Sequence, residues 1–85
     1  MHSFMYTIKA PVGLHARHAG LLVRETSRCR SSVTIYKGER FADGKRILAL
    51  MGLGVRQGDL IRVTVSGEDE DEATMRLKSY FFANL

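Results

Sequence analysis

Residues 10–20 read APVGLHARHAG and place His15, Arg17 and His18 within four positions, immediately before an apolar helical pattern. If His15 stands at the start of that helix, its imidazole lies beside backbone N–H groups with no intrahelical acceptor, at the positive end of the helix dipole. That position favours an anion. A neutral imidazole nitrogen is a nucleophile, and a phosphoryl group attached to it meets helix N–H donors aimed at its oxygens. Arg17 can add charge-assisted hydrogen bonds. The chemistry within reach is reversible phosphorylation of a histidine without metal, cofactor or catalytic triad, with a partner completing the transfer electrostatics.

The spacing also admits two plainer readings. A histidine before a helix is often a solvated cap, with Arg17 as surface charge. Alternatively, His15 and His18 lie three residues apart and could share a helix face as metal ligands. No cysteine or carboxylate adjoins them and His2 reads as a flexible terminal residue, so no metal and no cofactor is expected.

The elements that must position these residues are legible from periodicity. In FMYTIK, residues 4–9, Phe4, Tyr6 and Ile8 alternate as one buried face of a strand, which Pro11 and Gly13 end. From Ala16 to Ser27, Ala16, Ala19, Leu22, Val23 and Thr26 follow a helical period. SVTIY and RFAD, separated by a turn at Gly38, form a hairpin. KRILALMGLG has Ile47, Leu48, Leu50, Met51 and Leu53 around too much of a helix circumference for one core stripe, so part of it must be exposed; Gly54 stops it. LIRVTVSG alternates Ile61, Val63 and Val65 as a fourth strand. A last helix runs from about Asp69 to Ala83, burying Ala73, Leu77 and Tyr80 or Phe81. The order βαββαβα implies an α+β sandwich of helices over an antiparallel sheet.

With 85 residues and 45% hydrophobic content, the chain is expected to form a single domain spanning residues 1–85 that buries about 60% of its unfolded surface. The longest nearly apolar run, Ile47 to Val55, is far shorter than the ~20 residues of a bilayer span, and no secretory leader pattern opens the chain. A cytoplasmic protein with no membrane insertion is expected. Cys29 is the only cysteine, which excludes an internal disulfide and fits a reducing compartment; it reads as an ordinary small side chain, with a reactive thiol as the alternative. The net charge of +4 hides a gradient: residues 1–67 carry eleven Lys and Arg against four acidic residues, whereas residues 68–72 read EDEDE. The basic part should attract anionic partners. The acidic run sits where carboxylates oppose the last helix's dipole, or forms an acidic docking patch. Nucleic-acid binding would rest on the basic balance alone, without interleaved aromatic stacking residues, and is not expected.

The segment GLHARHAGLLV resembles the active-site segment of the HPr family, the histidine-containing phosphocarriers of the bacterial phosphotransferase system, usually Gly-Leu-His-Ala-Arg-Pro-Ala followed by an apolar helix. SSVTIYKG, DGKRILALMGLGV and GDLIRVTVSGEDEDEA fall in the family's order. The resemblance implies an HPr-like open-faced β-sandwich, sheet order 1-4-2-3 with three helices on one face, and a monomeric carrier that is not itself an enzyme. It would take phosphate from Enzyme I and pass it to IIA domains of sugar permeases, with transcriptional regulators as further partners. By the same resemblance His15 is the phosphorylated residue and Arg17 helps hold and transfer the phosphate. His18, Gly20, Arg24 and Arg46 would lie in the partner-binding region, and Ile47, Leu48 and Met51 would be its exposed apolar patch.

Three positions depart from the family pattern. His18 replaces a proline that pre-shapes the first helical turn; it is either a solvated substitute or a further donor to the phosphate. Gly20 replaces a larger residue, costing the helix roughly 1 kcal/mol relative to alanine. Arg46 stands where many Gram-positive members carry a serine phosphorylated by HPr kinase, so that regulation is absent at this position. A regulatory interaction module that carries no phosphate is the alternative function; retention of both His15 and Arg17 argues against it.

Overall fold

Alternating apolar residues build the sheet. In the computed structural model, which describes all 85 residues, the elements are β1 (His2–Thr7), α1 (Ala16–Thr26), β2 (Ser32–Lys37), β3 (Arg40–Asp43), α2 (Ile47–Gly52), β4 (Leu60–Ser66) and α3 (Glu70–Asn84). The four strands form one antiparallel sheet of order β1-β4-β2-β3. Phe4 pairs with Val63, Val63 with Ile35 and Ile35 with Ala42, so one row of apolar side chains crosses the face that packs on the helices. The next row, Met5, Arg62, Tyr36 and Phe41, crosses the open face. There the Arg62 guanidinium lies 4.3 Å from the Tyr36 ring centre, an interleaving of cation and aromatic that the linear sequence conceals.

The core joins 19 buried apolar residues from the connecting loops and every element except β1, whose Phe4 and Tyr6 pack against it half-buried. α3 contributes Ala73, Leu77 and Phe81, and Phe81 meets Phe4 and Tyr6 edge-on at 5.7 and 5.6 Å. Of the two aromatic choices for this stripe, Phe81 is fully buried and Tyr80 half-buried. Cys29 is buried, its Sγ donating to the Thr26 carbonyl at 3.1 Å, the setting of an ordinary core side chain.

Several expectations need correction. His2 is not a loose terminal residue: it pairs with Val65 and opens β1. β1 ends at Thr7, because Ile8 turns its N–H to the Asp59 carbonyl while its own carbonyl accepts from Gly58. α1 ends at Thr26, with Ser27 as its cap. Ala16 is exposed although its spacing puts it on the apolar stripe; the first turn of α1 stands out from the core, and Leu14, 4% exposed, anchors that end instead. α2 has only six residues.

Candidate functional site

The loop before α1 is held at both ends. The amides of Lys9 and Ala10 donate to the Leu85 carbonyl, Gly13 donates to Ala10 and Leu14 donates to Val55 at 3.1 Å. Gly13 has φ +62°, and a Cβ there would run into the Val55 carbonyl and come within 2.8 Å of Arg56 Cα. Only glycine combines that backbone angle with that close approach. Leu14, buried next to it, leaves His15 as the first residue free of the core.

His15 is the N-cap of α1, in extended conformation (φ −76°, ψ 171°), exposed and without a side-chain hydrogen bond. The first helical bond runs from the Ala19 amide to the His15 carbonyl at 2.8 Å. The amides of Ala16, Arg17 and His18 therefore have no acceptor, and the first turn contains no acidic residue. Arg17 and Arg24 are exposed and form no ion pair; the carboxylate nearest to Arg24 in sequence, Glu25, is shared by Arg28 and Arg76. What remains is a nucleophilic ring, three open N–H donors and an uncommitted guanidinium at one helix start, which can hold a tetrahedral dianion on the histidine.

His18 is not a solvated replacement for proline. It is half-buried, and its Nδ1 is shielded from water without a hydrogen-bond partner. Gly20 is half-buried where α1 approaches α2: a Cβ there would touch Ile47 Cδ1 at 3.4 Å. The close approach it permits joins α1 to the apolar face of α2, where Ile47, Leu48 and Met51 are 40%, 79% and 40% exposed. Leu21, on α1, is exposed too and had no signal of its own, since it merely continues an apolar run. Arg46 is the N-cap of α2 and exposed, with Asp43 at 3.6 Å partly offsetting its charge.

Two residues that position this surface are hard to find in the sequence. Lys37 and Arg40 flank the two-residue turn of the β2–β3 hairpin, where Gly38 has φ +61°. Both reach under α2: Lys37 donates to the Gly54 carbonyl at 2.8 Å and Arg40 to the Gly52 carbonyl at 2.7 Å. Cations thus satisfy the carbonyls at the negative end of a helix too short to be stable alone. The alternation that sends Tyr36 and Phe41 to the open face dictates this placement.

The family model described as "PTS HPr component phosphorylation site" matches residues 2–82. Among curated proteins, the phosphocarrier protein HPr of Lysinibacillus sphaericus is 38% identical over 73 residues, covering 86% of this chain and 83% of that protein. Among solved structures, HPr from Thermoanaerobacter tengcongensis superposes with a TM-score of 0.93 at 34% identity, covering 98% of this chain and 93% of the other. Crh of Bacillus subtilis, described as a dimer with a swapped domain, gives 0.78 at 33% identity, over 100% and 98% of the two chains. Sequence, fold and helix start agree: this chain belongs to the HPr family, the phosphocarriers of the phosphotransferase system, which are not enzymes but are themselves transiently phosphorylated on histidine.

Proposed function

We propose that His15 is the residue that carries the phosphoryl group, accepting it from phosphorylated Enzyme I and passing it to IIA domains of sugar permeases. A ring nitrogen of His15 attacks phosphorus, the P–N bond forms as the bond to the donor breaks, and the bonding pair returns to the donor. The reverse displacement on a IIA domain empties the site. The observation that carries this reading is the open start of α1, where the amides of Ala16, Arg17 and His18 point outward with no acceptor. They provide directional stabilisation for the phosphoryl oxygens without any side-chain rearrangement, and Arg17 supplies the mobile charge.

Docking uses the apolar patch of Ile47, Leu48 and Met51, rimmed by Arg24 and Arg46, a small hydrophobic centre with a charged edge suited to transient complexes. Transcriptional regulators that recognise the same face are further partners. Residues 1–85 act as one unit, as a monomer, in the cytoplasm where phosphoenolpyruvate is at hand; no helix is long and apolar enough to cross a membrane. Size-exclusion chromatography checks the monomer against the swapped arrangement described for Crh.

Incubation with phosphoenolpyruvate and Enzyme I, followed by intact-mass analysis, tests the assignment. The wild-type chain gains one phosphoryl group that is acid-labile and alkali-stable, and His15→Ala gains none. Uptake by His15→Ala, or its absence in the wild type, overturns the proposal.

A further inference from the structure

At the end of β1 remote from the His15 loop, the register that pairs His2 with Val65 puts His2 in the same alternation as Phe4 and Tyr6, on the helix side of the sheet. There it meets the first turn of α3. His2 Nε2 is hydrogen-bonded to Asp71 Oδ1 and lies 3.7 Å from Glu70 Oε2, and the potential ligand atoms of the three residues all fall within 4.8 Å of one another. We propose that His2, Glu70 and Asp71 form a binding site for a borderline divalent transition-metal ion, with zinc as its representative.

The start of α3 does not by itself require this arrangement. Asp69 is turned to Arg30 and Ser31 and Glu70 to the Gly67 amide, whereas Asp71 accepts from no backbone amide and turns to the imidazole of a strand instead. Glu70 is oriented from behind, its Oε1 accepting the Gly67 N–H at 3.0 Å while Oε2 faces His2; outer hydrogen bonds of this kind fix the direction of a ligand. A separate observation lies alongside. A cleft of about 420 Å³ borders His2 and Asp71, and Thr74 lines it. Thr74 is 7% exposed, and its hydroxyl has no hydrogen-bond partner. That oxygen is closed off from solvent, so it takes no part in the site; what the cleft offers an ion held by the three residues is room for water ligands.

One imidazole nitrogen and two carboxylate oxygens suit zinc and its neighbours better than calcium or magnesium, which prefer all-oxygen shells. Two negative charges match the ion's charge, and three protein ligands leave open positions for water. Opposing charges are present. The α3 start carries roughly half a positive charge, the Met1 amino group donates to Glu70 Oε2 at 2.7 Å, and Lys78 lines the cleft. The ion displaces the ammonium from Glu70; Lys78 packs over the Phe4 ring, 5.8 Å from its centre. The bound ion would tie the edge strand β1 to α3, across nearly the whole chain length. It takes no part in phosphoryl transfer, so the proposal stands or falls independently of the role of His15.

Isothermal titration of the untagged full chain with zinc, combined with histidine ring NMR, tests it. One ion binds per chain at micromolar concentration and perturbs the His2 ring. His2→Gln and Asp71→Asn each weaken binding by at least about tenfold, the lower end of what even an outer partner contributes, and His15→Ala leaves it unchanged. Absence of binding at millimolar zinc, binding that survives both His2→Gln and Asp71→Asn, or binding lost in His15→Ala would overturn the proposal.

Discussion

Two helix starts in this chain face the same electrostatic demand and meet it in opposite ways. α3 begins in EDEDE, and the charges of Glu70, Asp71 and Glu72 in its first turn answer the positive end, while hydrogen bonds to neighbouring segments hold that start in place. Asp69 accepts from the amides of Arg30 and Ser31, both at 2.9 Å, and from the Ser31 hydroxyl, while Glu70 accepts from Gly67. The Ser31 hydroxyl and then the Arg30 amide hold the Asp69 carboxyl well below the usual range, at about 2. α1, which like α3 has no capping side chain, has no acid in its first turn. It forgoes the roughly 0.3–1 kcal/mol that a carboxylate there contributes, and its donors remain open for an anion that comes and goes. A phosphoryl site is thus made partly by what the chain withholds.

If that contrast is right, giving α1 the character of α3 should disable it. Ala16→Glu places a carboxylate in the first turn of α1, at an exposed position. The helix is expected to gain about 0.3–1 kcal/mol from its dipole. Phosphorylation should fall by about tenfold at equilibrium, equivalent to ~1.4 kcal/mol, because the new charge repels the phosphate and competes for its amides. Thermal melting and the phosphorylated fraction at a fixed ratio of phosphoenolpyruvate to pyruvate measure the two effects, which should have opposite signs.

The converse change weakens α3. Asp69→Asn should lower the melting temperature at neutral pH. Because the folded pKa of Asp69 is depressed from 3.8 to about 2, its contribution is complete above the unfolded value and disappears as pH falls through that interval. The gap between wild type and variant should therefore close from about pH 4 toward pH 2; a constant gap would assign the effect to shape rather than charge. Phosphoryl uptake should be unaffected.

The smallest effect is expected at His18. Replacing it by proline breaks no backbone hydrogen bond of the unphosphorylated chain, since its amide is among the open donors, and removes an unpartnered buried nitrogen. His18→Pro should stabilise the unphosphorylated chain by about 1 kcal/mol. Because proline removes both the His18 ring and one of the three open amides, the phosphorylated fraction at a fixed ratio of phosphoenolpyruvate to pyruvate should fall slightly if either serves the phosphate. An unchanged fraction would leave Arg17 and the amides of Ala16 and Arg17 as the stabilising groups.

Sequence alone determined what depends on near neighbours. Period-two alternation marked Phe4, Tyr6, Ile61, Val63 and Val65 as one-sided strands, helical spacing marked Ala19, Leu22 and Thr26 or Ala73 and Leu77 as buried stripes, and the GLHAR segment placed His15 at a helix start. The excess of apolar residues around α2 required an exposed face before any contact was known. These signals are local because dihedral preference and side-chain periodicity act within a few residues. Other features required distant segments to meet. Only tertiary packing brought Lys37 and Arg40 under the end of α2, made Gly20 a seat for Ile47, shielded one nitrogen of His18, left Ala16 outside the core, and carried His2 to Glu70 and Asp71. Periodicity says which face of an element is apolar; which side chain from elsewhere in the chain lies against it depends on sheet order, register and the close packing of the interior.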